Sequence, residues 1–339
     1  MRRILIHGYF GGRNFGDELM LLGFLNREVR PSDRVAIITP NGTVPLHLAS
    51  RVERAFAKKP ASFLKGLIWA TDFVLCGGTV FHDGYPDDRH TSYRKNLIAV
   101  AALLRVARLA GRRVHLAAIG LGPLRRPLTR YTARIALGSA TTIGLRDDRS
   151  VTDAIMLGFA DRFTQVRDLA HDSGLDGLRA DVRRGLALSV VSTNLISTTD
   201  PITAAAFYDD LADLIATFQA RTGEPVRLLI ICVGSADSDV GVSESWQRRL
   251  HAVGVRDLTV VPFNGSPAEM AGELARVRGV IAMRFHAATL AQKIGTPTFW
   301  LAYQRKVLDG AADLAVPHDR IGTPVIATLP LIAAFLDSL

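Results

Sequence analysis

Cysteine is scarce in this 339-residue chain, with only Cys76 and Cys232 present. Two thiols cannot build a disulfide framework. Both fall in apolar runs that read as buried strands, so they are expected to be reduced packing residues. Long apolar runs are missing as well: no segment approaches the roughly 18 residues a spanning helix requires. The opening Arg2-Arg3-Ile4-Leu5-Ile6 breaks at His7 and enters a glycine-rich turn, so a first strand is expected there rather than a secretory leader. A cytoplasmic protein is expected. There is no Gly-x-Ser-x-Gly elbow and no Walker loop. His82, Asp83 and His90 follow no zinc-ligand spacing, so neither metal nor cofactor is expected. Aromatic residues make up 7% of the chain, and neither a stacking pattern nor a recognised nucleic-acid module accompanies its positive charge, which excludes nucleic acid as the expected partner.

What is present is a large apolar content, 48% against 22% charged, enough for an extensive core, in a length that favours two domains. Lys and Arg exceed Asp and Glu by 41 to 32, a formal charge of +9, which implies an anionic partner of some kind. Part of the excess gathers at Arg105, Arg108, Arg112 and Arg113 and again at Arg125, Arg126, Arg130 and Arg134. These are either solvated helix faces or a surface that rests on anionic lipid headgroups at the inner face of a membrane.

Short β-rich apolar runs alternate with amphipathic helical segments along the whole chain, the pattern of βαβ units around parallel sheets. Strands are expected at residues 3–7, 34–38, 73–76, 114–119, 142–145 and 164–166, and after a polar linker (171–184) at 185–191, 226–233, 258–261, 280–283 and 298–301. The fold class is therefore α/β, two Rossmann-like lobes (1–175 and 176–339), with ligands expected at the carboxyl ends of strands, in the cleft between the lobes. Residues at strand ends thus carry most weight.

Four such ends occur in the first half. His7-Gly8-Tyr9-Phe10-Gly11-Gly12-Arg13-Asn14-Phe15-Gly16-Asp17-Glu18 runs from a strand through four glycines into a helix. Two carboxylates at that helix start repel the phosphate that a helix dipole attracts, so this turn suits hydroxyls, unless Asp17 is a plain helix cap. Cys76-Gly77-Gly78-Thr79 and Gly120-Leu121-Gly122-Pro123-Leu124 place bare backbone where a sheet opens; each alone is also a tight turn. Arg146-Asp147-Asp148 sets a guanidinium at a strand end, a rigid fork suited to carboxylate or phosphate, or else to an ion pair with its acidic neighbours.

In the second half, Arg284-Phe285-His286 sits at a strand-to-helix turn. An imidazole there, with an ordinary pKa of about 6.5, can exchange protons near neutrality beside a cation. Tyr303-Gln304-Arg305-Lys306 follows the next strand and adds another cation.

Taken in order, Asn14-Phe15-Gly16-Asp17-Glu18, Gly77-Gly78-Thr79, Gly120-Leu121-Gly122-Pro123-Leu124, Arg146-Asp147 and Arg284-Phe285-His286 resemble the motifs of the polysaccharide pyruvyltransferase family, over most of the chain. Three departures stand out: Phe285 for the usual Leu, Asp168-Leu169 for Asp-Pro, and Ser192-Thr193-Asn194 where an Arg often follows the strand. The resemblance implies a fold like that of the GT-B glycosyltransferases, phosphoenolpyruvate as donor substrate, and a sugar hydroxyl pair on a glycan or lipid-linked precursor as acceptor. It places Arg284, Arg146 and Lys306 at donor-binding positions and His286 at the catalytic one.

Chemistry assigns roles among these residues. Protonating the methylene of phosphoenolpyruvate leaves positive character on the adjacent carbon, which a hydroxyl attacks; phosphate leaves, and a second hydroxyl closes a cyclic ketal. Such a path needs an acid, cations around carboxylate and phosphate, and a base. His286 is the expected acid, Arg284, Arg146 and Lys306 the anion clamps, Asp17 the acceptor-side base, and Asn14, Gly16, Glu18, Gly78 and Thr79 the acceptor surface. The same fold and cations also fit a nucleotide-sugar glycosyltransferase, or a non-catalytic glycan-binding or assembly protein that kept the scaffold.

Overall fold

A computed structural model describes residues 1–83, 90–196, 201–234, 238–303, 317–320 and 325–339. The chain forms two compact units, one of residues 1–12 and 17–173, the other of residues 13–16 and 174–339. Each is an α/β unit around a parallel sheet.

In unit 1 the strands are β1 (Arg3–His7), β2 (Arg34–Thr39), β3 (Arg54–Ala57), β4 (Asp72–Cys76), β5 (Thr79–Phe81), β6 (Arg113–Leu121), β7 (Thr142–Leu145) and β8 (Thr164–Gln165). Their order is β3-β2-β1-β4-β6-β7-β8, with β5 on β6, and every pairing is parallel. The helices are α1 (Phe15–Glu28), α2 (Pro60–Trp69), α3 (His90–Leu109), α4 (Pro127–Ser139) and α5 (Asp148–Met156). Central strands such as β4, Asp-Phe-Val-Leu-Cys, are buried at every residue, as expected of a sheet covered on both faces. The main core gathers Leu5, Phe73, Leu75, Leu97, Leu104, Leu116 and Leu137 between the sheet and its helices.

Unit 2 repeats the design with β9 (Leu186–Ser189), β10 (Val226–Ile230), β11 (Leu258–Pro262), β12 (Gly279–Ala282), β13 (Thr298–Ala302) and β14 (His318–Arg320), in the order β11-β10-β9-β12-β13-β14. Its helices are α6 (Pro201–Thr222), α7 (Val240–Ala252), α8 (Pro267–Arg276), α9 (Phe285–Lys293) and α10 (Val325–Asp337). In both units strand order reverses beside the first strand, between β1 and β4 and between β9 and β12. Open α/β sheets bind ligands at such a reversal, beyond the carboxyl ends of the strands.

Three strands escape the sequence pattern: β3, β5 and β14. Each has three or four residues, too few for periodicity to register. β5 alters the reading of one glycine turn. β6 carries a bulge at Ala118, which adopts a φ of 50°, and then runs on through Gly120 to pair with β5. Gly120 and Gly122 therefore pack against protein. A Cβ on Gly120 would lie 2.5 Å from Thr79 Oγ1, and one on Gly122 would lie 1.8 Å from the Asp153 carboxylate. Gly78, with a φ of 73°, has open space on its Cβ side. No helix among the described residues is long and apolar enough to cross a membrane.

Candidate functional site

Arg284, Phe285 and His286 leave β12 at the strand reversal of unit 2. The neighbouring strand end reaches over to hold them: Ser189 of β9 accepts the Met283 N–H at its carbonyl (2.9 Å) and the Arg284 N–H at its hydroxyl (3.4 Å). Arg284 is the N-cap residue of α9, in extended backbone conformation. Its guanidinium forks onto Asp239, with Nε 3.1 Å from each carboxylate oxygen and Nη2 in a closer bond to Oδ1. Asp239 also accepts the Cys232 N–H at 3.0 Å. Burial opposes the charge on Arg284, but Tyr303 and Asp239 outweigh it and raise its pKa, so the guanidinium stays cationic. Asp239 was not singled out in the sequence. Its partner lies 45 residues away, and only the fold joins them.

His286 is half-buried in the first turn of α9, its ring edge-on to Phe285 with centroids 5.2 Å apart. The residue that meets its imidazole is Gly16. A Cβ there would lie 2.1 Å from Nδ1 and 2.8 Å from Cγ and Cε1 of His286. Only a residue without a side chain fits. The segment carrying Gly16 counts with unit 2 because its backbone bonds to it: Phe15 N–H donates to the Ile231 carbonyl (3.0 Å), Val233 N–H donates to the Arg13 carbonyl (2.9 Å), and Asn14 bridges Cys232. Phe15 adds an edge contact to Phe263 at 5.6 Å. Asn14, just before α1, caps it by accepting the Gly16 N–H at Oδ1 (3.0 Å). Thus Asn14 takes the capping place that the sequence had offered to Asp17, which lies further into the first turn.

Unit 1 assembles a second group from the carboxyl ends of β4 and β7. Arg146, at the end of β7, donates from Nη1 to Asp168 (2.7 Å) and from Nη2 to the Thr79 hydroxyl (2.8 Å), with Asp147 3.6 Å from its Nε. Asp147 and Asp168 serve as caps too, for α5 and for the short helical turn Leu169–Asp172. Met20 of α1 touches both Arg146 and the Gly77 backbone. Asp17 is close by: the buried Cys76 thiol is raised above its ordinary range by burial first, then by the charges of Asp168 and Asp17. Glu18 is buried and turned to the glycine-rich loop, accepting the Gly11 N–H at 2.7 Å and facing His47 Nε2 at 3.5 Å.

So the fold gathers Asp17, Gly78, Thr79 and Arg146 in one group and Asn14, Gly16, Arg284 and His286 in another. Lys306 lies outside the described residues. Asp168, noted in the sequence only as a departure from the family pattern, and Asp239, which the sequence reading passed over, hold the two arginines. Among the described residues no three His, Cys, Asp or Glu side chains converge as metal ligands. What the unit 2 group offers chemically is a fixed cation, an imidazole two residues on, and a helix N-terminus, a combination suited to an anionic ligand that must receive or lose a proton.

A family model described as polysaccharide pyruvyl transferase matches residues 14–305. No curated protein matches. Among solved structures, Anabaena HepE in complex with UDP and glucose is similar with a TM-score of 0.58 at 13% identity, over 100% of this chain and 89% of that one. UDP-GlcNAc 2-epimerase from Neisseria meningitidis gives a TM-score of 0.59 at 9% identity, over 100% and 93%. Sucrose-phosphate synthase from Thermosynechococcus elongatus gives 0.56 at 9%, over 99% and 90%. At these identities the likeness is one of fold, that of GT-B glycosyltransferases and epimerases.

Proposed function

Because the chain belongs to the polysaccharide pyruvyl transferase family, we propose that it transfers the pyruvyl unit of phosphoenolpyruvate to two hydroxyls of a sugar in a cell-surface glycan or its lipid-linked precursor. The observation that carries this reading is the Arg284-His286 turn, with its cation pinned by Asp239 and its imidazole fixed against Gly16.

In this reading His286 gives a proton to the methylene carbon of phosphoenolpyruvate while Arg284 faces its carboxylate or phosphate. One sugar hydroxyl adds to the adjacent carbon, a second displaces phosphate, and the protons they release restore His286 and leave with the phosphate. Donor and diol become ketal and inorganic phosphate, with no other reactant. Arg146, expected among the donor clamps, is bonded to Asp168 and to the Thr79 hydroxyl, and in this reading it supports the acceptor surface instead; Lys306 supplies a further cation to the donor, and Asp17 takes an acceptor proton. Neither cofactor nor metal is required by this path.

Phosphate release from phosphoenolpyruvate, measured against a panel of synthetic and lipid-linked glycosides with His286→Ala as control, tests the proposal. Release that needs both an acceptor and His286 is the expected result. Protection against heat by UDP- or GDP-sugars, with none from phosphoenolpyruvate, would replace it with a glycosyltransferase; protection by glycans alone, without turnover, would leave a binding protein.

A further inference from the structure

The helices α2, α3 and α4 form a surface that the chemistry above does not use. All three carry the chain in one direction along the sheet, from β3 to β4, from β5 to β6 and from β6 to β7. Right-handed crossovers therefore set them on one face, while α1, returning from β1 to β2, lies on the other. None of the three contains an aspartate or glutamate, though together they hold two lysines and five arginines. They are also unusually apolar outside: Ile68 is 65% exposed, Leu109 71% and Tyr131 64%, with Leu64, Ile98 and Val106 about half exposed. Ile98, Val106 and Leu109 are spaced to share one stripe of α3, bordered by Arg94 and Arg105.

The arginines on this side divide in two. Arg113 pairs with Asp72, Arg130 donates to the Leu124 and Arg125 carbonyls, and Arg134 donates to that of Leu157. Those guanidiniums are occupied. Arg105 and Arg108 are exposed on α3 and have neither an ion pair nor a hydrogen bond among the described residues.

We propose that this face docks on an anionic phospholipid bilayer, with Ile68, Ile98, Leu109 and Tyr131 entering the headgroup boundary and the α3 cations meeting lipid phosphates. On this face α5, crossing from β7 to β8 in the same direction, carries Asp148 and Asp153, but the three helices without a carboxylate match a negative surface, and exposed apolar residues between cations match a boundary that is charged outside and hydrocarbon within. A second copy of the chain would bring like charges together. A nucleic acid would satisfy the cations and leave the apolar stripe in water.

Vesicle flotation of the full chain, on phosphatidylcholine alone and on an equal mixture with phosphatidylglycerol, tests this without reference to turnover, so its outcome is independent of the pyruvyl-transfer reading. Binding to the anionic vesicles only is expected, lowered roughly 25-fold by Arg105→Ser with Arg108→Ser and roughly tenfold by Ile98→Ser with Leu109→Ser. Arg248→Ser with Arg256→Ser, which removes the same charge from exposed positions of unit 2, should bind like the unmodified protein. Equal partitioning onto both vesicles, equal loss in the two arginine pairs, or retention of a DNA duplex with no vesicle binding would each overturn the proposal.

Discussion

Gly16→Ala is the sharpest probe of the unit 2 group. The added methyl would sit 2.1 Å from His286 Nδ1, and reaching an ordinary contact of 3.4 Å requires about 1.3 Å of relative movement. Gly16 cannot supply it easily, because Phe15 is bonded to Ile231 and Asn14 caps the Gly16 N–H. The imidazole must move. Overpacking of this kind costs ~1–3 kcal/mol, offset by up to ~1 kcal/mol from alanine's better helix propensity, so thermal stability should fall only modestly. Activity is a different matter: displacing a proton-transfer group by ~1 Å can cost ~100-fold in turnover. Gly272→Ala in α8, where a Cβ meets nothing, is the control for propensity and should retain full turnover. Phosphate release and thermal unfolding measured on both variants decide the matter. Unchanged turnover in Gly16→Ala would refute the claim that Gly16 fixes the ring of a working His286.

Two more outcomes follow from buried charge. Asp239→Asn leaves Arg284 cationic without its counterion, so unfolding free energy should drop by about 3 kcal/mol and turnover should fall with it; Asp209→Asn, which breaks the exposed pair with Arg249, should remain close to the parent in denaturant titration. His7 is buried at the end of β1 and its pKa is lowered to about 4, by burial and then by Lys58. Between pH 6.5 and 4 the unfolded chain takes up a proton that folded His7 refuses, so its contribution is intact above 6.5 and about 3 kcal/mol is lost as pH falls to 4. Urea titrations across that range should show a shallower acid loss for His7→Leu than for the parent; parallel curves would contradict this assignment.

Much of the architecture is written locally. Val, Ile and Leu runs such as Ile4-Leu5-Ile6 and Leu186-Ala187-Leu188, set between helical segments, require parallel strands buried on both faces, and so two α/β units. The residues at strand ends were legible for the same reason, since Gly77-Gly78-Thr79, Arg146 and Arg284-Phe285-His286 directly follow those runs. Strand order was not legible. The reversal that makes one pair of strand ends a candidate ligand site arises from the direction of each crossover, which no single segment encodes. The partners of the two arginines were hidden likewise, because Asp168 lies 22 residues from Arg146 and Asp239 lies 45 from Arg284, and only folding brings each pair together. Gly16 shows the division most clearly: its sequence neighbours mark a turn into a helix, whereas the requirement for glycine comes from an imidazole 270 residues away. Periodicity and turn chemistry act over a few residues and can be read from the chain; close approach and ion pairing depend on where distant segments come to rest.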